Sequence, residues 1–282
     1  MNKEQYIEYA KKTFNGKSLE IILNQIELFF TENVVVNKNH YKVGENVKLI
    51  KGTFIHGISG GLDNFDWTVE NGFVSSDFNG SKKANKFFNN VGMWNIQKDC
   101  MLIDYIKNYS GVTLGYTIGR GPESKKEARL IPYQEFEKEI TKINNDENIW
   151  MWNAEQTKEI RFIPSLASNK IQIAFIINMD SEYAKKLKHA DIFNSEIDKD
   201  VLKYFIVEQA IDKFMNEERD AFTTDRESAI MFGLPIKLVE GVLIGRKLEN
   251  NNDAINHIKS KLPDCYICNL DGKVICSTLN SK

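Results

Sequence analysis

The run Gly52-Thr53-Phe54-Ile55-His56-Gly57-Ile58-Ser59 constrains this chain more than any other stretch. Apolar and β-branched residues lead into a histidine, and a glycine follows at once. Such a run reads as a buried strand ending in an imidazole, and a buried strand commits the chain to a sheet. The glycine lets another molecule come close to the backbone. An imidazole at that point can hydrogen-bond a ribose hydroxyl. The same string also suits a half-buried histidine that only closes a strand.

With 282 residues, the chain has room for one large domain or two modest ones around a real core. A net charge of −2 leaves no overall electrostatic footprint for non-specific nucleic-acid binding. The lysine pairs Lys82-Lys83 and Lys185-Lys186 read as solvated faces. No stretch approaches the length of a membrane span, and Met1-Asn2-Lys3-Glu4-Gln5-Tyr6 does not resemble a secretory signal. The expected setting is cytoplasmic, or outside the cell by a route without an amino-terminal signal, and no membrane partner is expected. Cys265-Tyr266-Ile267-Cys268 has metal-ligand spacing with Cys276 beyond it, yet nothing nearby completes a zinc set. A closing hairpin with buried thiols explains these residues better, with Asp271-Gly272 as its turn.

Helical periodicity predicts helices over Lys3–Phe14 and Leu19–Phe30, separated by Asn15-Gly16-Lys17-Ser18. Further helices are expected at 62–70, 81–89, 98–109, 133–143, 181–187, 198–219 and 254–261. Strands are expected at 43–58, 91–96, 111–118, 159–163, 171–178, 229–232 and 239–244. No repeat or linker interrupts this order. The expected fold is α+β, with an N-terminal helical cap over residues 1–40 and an α+β domain over residues 41–282. Short connections favour antiparallel pairing.

Three pieces form a pattern when read in order. His56-Gly57-Ile58-Ser59 ends the first strand. Gly92-Met93-Trp94 forms a strand that leads into a helix. Glu227 opens a late strand, followed by Leu234-Pro235 and the run Val239-Glu240-Gly241-Val242-Leu243-Ile244. In this trio, over about Val47 to Gly245, the chain resembles the ADP-ribosyltransferase superfamily, in its diphtheria-toxin-like and poly-ADP-ribose-polymerase-like branch. That branch carries a strand-end "HG[TS]" histidine, a tyrosine in a "G-[IL]-Y-F" strand and a glutamate opening a late strand. Here one residue is inserted before Ser59, and tryptophan stands where tyrosine is usual.

The resemblance implies a split antiparallel β-sheet core and NAD as substrate, with no metal required. Breaking the nicotinamide–ribose bond creates an oxocarbenium-like centre. Glu227 would act there, holding the 2′-hydroxyl and favouring the positive charge. His56 would grip the adenosine ribose, helped by the Gly57 backbone and the Ser59 hydroxyl, and Trp94 would stack on nicotinamide. The acceptor of ADP-ribose, protein or nucleic acid, stays open, as does plain hydrolysis of NAD, and the oligomeric state is not fixed.

Alternatives remain on each point. Glu159 also opens a strand and rivals Glu227. Trp94 suits an ordinary core position, and Glu227 suits a solvent-facing strand start beside Asp225 and Arg226. Arg120 or Arg129 could meet a pyrophosphate, although Gly119-Arg120-Gly121 lacks the strand-to-helix context of a phosphate loop. A non-catalytic binding or scaffold protein on the same fold is the second reading. A nucleic-acid-processing factor using the lysine pairs is the third.

Overall fold

In a computed structural model, the described residues are 2–58, 61–74, 90–96, 98–107, 112–118, 125–131, 149–151, 172–187, 189–190 and 227–278. The chain opens with α1 (Lys3–Thr13), capped by Asn2 in a reciprocal capping box with Gln5. Helix α2 (Gly16–Phe29) follows after a two-residue break, so it starts earlier than its apolar periodicity suggests. Gly16 opens it with φ +51°, a value that suits glycine. Then come β1 (Lys48–Leu49), β2 (Phe54–Ile58), α3 (Gly61–Asn71), β3 (Phe73–Val74), β4 (Asn90–Asn95) and β5 (Cys100–Met101). They are followed by α4 (Leu102–Lys107), β6 (Val112–Ile118), β7 (Lys125–Ile131), β8 (Ile149–Met151), β9 (Ile173–Ile177) and β10 (His189–Ala190). The chain continues with β11 (Glu227–Met231), β12 (Gly233–Leu234), β13 (Val239–Ile244), α5 (Asn252–Lys261), β14 (Tyr266–Cys268) and β15 (Val274–Cys276).

This is a mixed α/β protein whose main sheet has eight strands in the order β10-β11-β4-β2-β9-β13-β14-β15. Counted by their own order in the chain, these strands run 4-5-2-1-3-6-7-8. All neighbours are antiparallel except β13 and β14. A smaller sheet joins β7, β6 and β8, and two-stranded ladders join β1 to β5 and β3 to β12.

The core follows from strand burial. Ile173, Ala174, Phe175, Ile176 and Ile177 in β9 are all fully buried, as a strand covered on both faces must be. On one face, Phe65 of α3 stacks on Phe175 at 5.7 Å, and Phe175 meets Phe73 edge-on at 5.0 Å. Burial of each such ring stabilises the fold by about 1.5–3 kcal/mol. Gly241 lets the Tyr266 ring lie flat on β13, since a Cβ there would collide with that ring.

Helices α1 and α2 lean on Phe232, which meets Tyr6 and Phe29 edge-on, each at 5.2 Å. Phe232 has φ +65°, a left-handed conformation that costs a bulky residue about 1–2 kcal/mol. Its full burial among aromatic rings offsets that cost. Tyr183 ties α2 down by donating to the Leu28 carbonyl at 2.6 Å. Lys237 caps the same helix end through the Thr31 carbonyl.

After α2 the chain crosses to β13, where Glu240 is fully buried at an irregularity in the ladder with β9. Its carboxylate accepts from Asn178 Nδ2 at 2.8 Å and from Asn39 Nδ2 at 3.0 Å and the Asn39 backbone N–H at 3.3 Å. These neutral donors replace the solvent lost on burial of the carboxylate.

Several sequence expectations shift. The predicted strand 43–58 is two strands, because the chain turns at Gly52 with φ +88°. The predicted helix 98–109 is shorter, since Cys100 and Met101 pair with β1 before α4 begins. Residues 181–187 form only a short 3-10 turn at Ala184–Lys186. The cysteine hairpin is present as β14 and β15, while β3 and β12 are unforeseen. The predicted helices at 81–89, 133–143 and 198–219 and the strand at 159–163 lie outside the described residues.

Two outcomes follow. Gly241→Ala should lose about 1–3 kcal/mol through the clash with Tyr266, read as a lower midpoint of thermal unfolding; an unchanged midpoint would contradict the packing. Burial pushes the Cys265 thiol up to about 11 and raises that of Cys268. At pH 8 both therefore hold almost no thiolate. A thiol reagent should leave Cys265 and Cys268 unlabelled in the native protein and label them in denaturant, while the half-buried Cys100 and Cys276 react first. Fast native labelling of Cys265 would contradict this.

Candidate functional site

The strands bearing the three sequence motifs lie side by side. β2 carries His56 and Gly57, β4 carries Trp94, and β11 opens on Glu227, in the spatial order β11-β4-β2. Glu227 is the register partner of Trp94, and Trp94 is the partner of Ile55. From Glu227 to Ile55 is two inter-strand steps, about 10 Å. His56 follows Ile55 directly, so it is one residue off that row, and its side chain projects from the face of β2 opposite to Ile55, toward Phe175, Phe73 and α3.

The join between β2 and β4 is short. It begins where Gly52 N–H donates to the Ile96 carbonyl at 2.8 Å and Ile96 N–H donates to the Thr53 carbonyl at 2.9 Å. It continues through the pairs Phe54–Asn95 and Ile55–Trp94. Beyond that row the ladder between the two strands ends. β2 runs on beside β9 through His56, Gly57 and Ile58, partnered with Phe175, Ala174 and Ile173. β4 runs back beside β11 through Met93, Gly92, Val91 and Asn90. The ladder that joins a side of three strands to a side of five therefore ends at Ile55–Trp94, and that end is the fork.

Exposure agrees with a fork. In β2, Phe54, Ile55 and Ile58 are buried, but His56 and Gly57 are both half-buried. Successive residues of a strand point to opposite faces, so an opening on one face would expose one of the two. Partial exposure of both means that neither face of β2 is fully covered at this point.

The fork has a built wall. The β3–β12 ribbon packs beside β4, and Phe73 in β3 meets the His56 ring edge-on at 5.4 Å and 76°. Phe73 was visible in the sequence only as the residue after Asn71-Gly72, with no signal that it would reach the histidine.

Among the other sequence candidates, Ser59, Arg120 and Glu159 lie outside the described residues. Arg129 sits in β7 of the three-stranded sheet, outside the eight-stranded sheet that holds the fork strands. Lys185 pairs with Glu182 at 2.7 Å, with both side chains exposed. Sequence reasoning missed a pair between α3 and α5, where His257 Nε2 lies 2.7 Å from an Asp66 carboxylate oxygen. Their separation of 191 positions leaves no local signal for it. Among the described residues, no group of three or more His, Cys, Asp or Glu side chains could hold a metal ion, and no helix is long and apolar enough to cross a membrane.

Comparison of the chain with models of known families, with curated proteins and with solved structures finds no match to any of them.

Proposed function

We propose that this chain is an NAD-dependent ADP-ribosyltransferase-like enzyme, cleaving the nicotinamide–ribose bond and passing ADP-ribose to an acceptor or to water. One observation supports the reading: the strands bearing His56, Trp94 and Glu227 are neighbours, with Trp94 and Glu227 on the last row of the β2–β4 ladder and His56 one residue beyond it on the other face, so that a dinucleotide would reach both across the edge of β2. A ladder that ends early between β4 and β2 is compatible with the split sheet that the sequence resemblance implies. The coincidence of ordered motif and fork supports the family reading more than any of the short motifs alone.

The chemistry follows from what each residue type can do. As the bond from the ribose C1′ to the nicotinamide nitrogen breaks, its electron pair leaves with neutral nicotinamide. Positive charge then develops on the ribose. A carboxylate at Glu227 favours that charge and accepts a hydrogen bond from the 2′-hydroxyl. The acceptor's lone pair forms the new bond to C1′, and the acceptor gives up its proton. His56 holds the adenosine ribose, Gly57 lets the dinucleotide approach the backbone, and Trp94 offers an aromatic face to nicotinamide. Tryptophan in place of tyrosine enlarges the stacking surface and removes a hydroxyl. That departure favours a second reading, a binding or scaffold protein that holds a dinucleotide without cleaving it.

Release of nicotinamide from NAD by the purified protein is the test. Glu227→Gln should lower the rate by about 100-fold or more while NAD still binds. Glu159→Gln should leave the rate near that of the parent. An unchanged rate in Glu227→Gln would reject its role. NAD binding without turnover in the parent would favour the scaffold reading, and absence of both would reject the proposal.

A further inference from the structure

We infer that Phe73 is a positioning residue for His56, fixing the imidazole on the α3 face of β2 one residue past the fork; this rests on the reading of the fork as a dinucleotide site. The Phe73 ring is buried and meets the half-buried His56 ring at 5.4 Å and 76°. An edge-to-face contact of this kind restricts rotation of the smaller ring. Phe73 is itself clamped. Phe175, the cross-strand partner of His56, meets it edge-on at 5.0 Å, and Phe65 stacks behind Phe175.

The backbone on either side of Phe73 admits little else. Gly72 has φ +72°, and a Cβ there would lie 2.7 Å from the Phe29 ring. At Gly233, the β12 partner of Val74, a Cβ would collide with the Phe73 carbonyl. Two glycines with no room for a side chain thus hold a two-residue ribbon against the histidine. A ribbon that served only to fill the core would not need to press an aromatic edge on a partly exposed imidazole. A histidine that must present one nitrogen to a ribose hydroxyl gains from such a wall, since an unrestrained ring loses rotamer freedom on binding.

The test is a double-mutant cycle with NAD. Phe73→Leu should raise KM for NAD about tenfold, with the loss on KM rather than kcat, because His56 acts on the adenosine side. In a His56→Ala background the same substitution should change KM less than about twofold. Ile267→Ala, a core loss in β14 three strands away from β2, should leave KM near the parent value. An equal rise in the His56→Ala background, an equal rise from Ile267→Ala, or a fall confined to kcat would overturn the inference. If Phe73→Leu does not fold, Phe73→Met keeps the volume and takes its place. If the parent neither binds nor cleaves NAD, the functional reading fails separately, and the imidazole proton resonances of His56 decide this inference. Loss of the Phe73 ring should shift and broaden them, and unchanged resonances would overturn it.

Discussion

The architecture depends on β2 being held unequally by its two neighbours. Toward β9 it is paired over its whole length, and toward β4 it is paired only up to Ile55. The β9 side is the buried centre of the sheet, where five successive residues lose all contact with solvent. The β4 side is where backbone pairing stops, beside the half-buried His56 and Gly57. An interruption there costs hydrogen bonds and is kept only where other groups compensate or a ligand is served. The residues at the interruption are a half-buried histidine and a half-buried glycine.

The five-strand arm is locked from the far side. Glu240 sits where the β13–β9 register slips, and the extra residue turns its carboxylate toward Asn39 and Asn178. That contact straps the segment after α2 across the sheet. Tyr266 lies under the strap, its hydroxyl pushed well up by burial and by the Glu240 charge, and its ring fits only because residue 241 is glycine. On the three-strand arm the equivalent anchor is Phe232, whose strained backbone follows β11 and seats both N-terminal helices. Each arm therefore has its own fastening, so the fork between them does not weaken either.

Much of the secondary structure was legible because it obeys local rules. The helical stripes of α1 and α2, the stop at Asn71-Gly72, the apolar runs of β9 and β13 and the Asp271-Gly272 hairpin all declare themselves within a dozen residues. The failures are equally physical. Gly52 splits a run that reads as one strand, since alternation continues across a turn that only φ +88° reveals. Cys100 and Met101 carry helical periodicity, yet the β1 edge claims them. The site was legible as residue types in order. What the sequence withheld was the register, which pairs Glu227 with Trp94 across more than a hundred residues, and the ribbon that brings Phe73 to His56. Neither contact leaves a local trace, because both are made by the assembled sheet.

Backbone amide hydrogen exchange, followed residue by residue with and without saturating NAD, reads the fork directly. If a dinucleotide lies between the arms, exchange should slow at His56–Ile58 and at Gly92–Trp94, while the β14–β15 hairpin stays unchanged. No slowing at those amides, or slowing confined to the far hairpin, would mean that the parting of β2 and β4 does not serve a nucleotide.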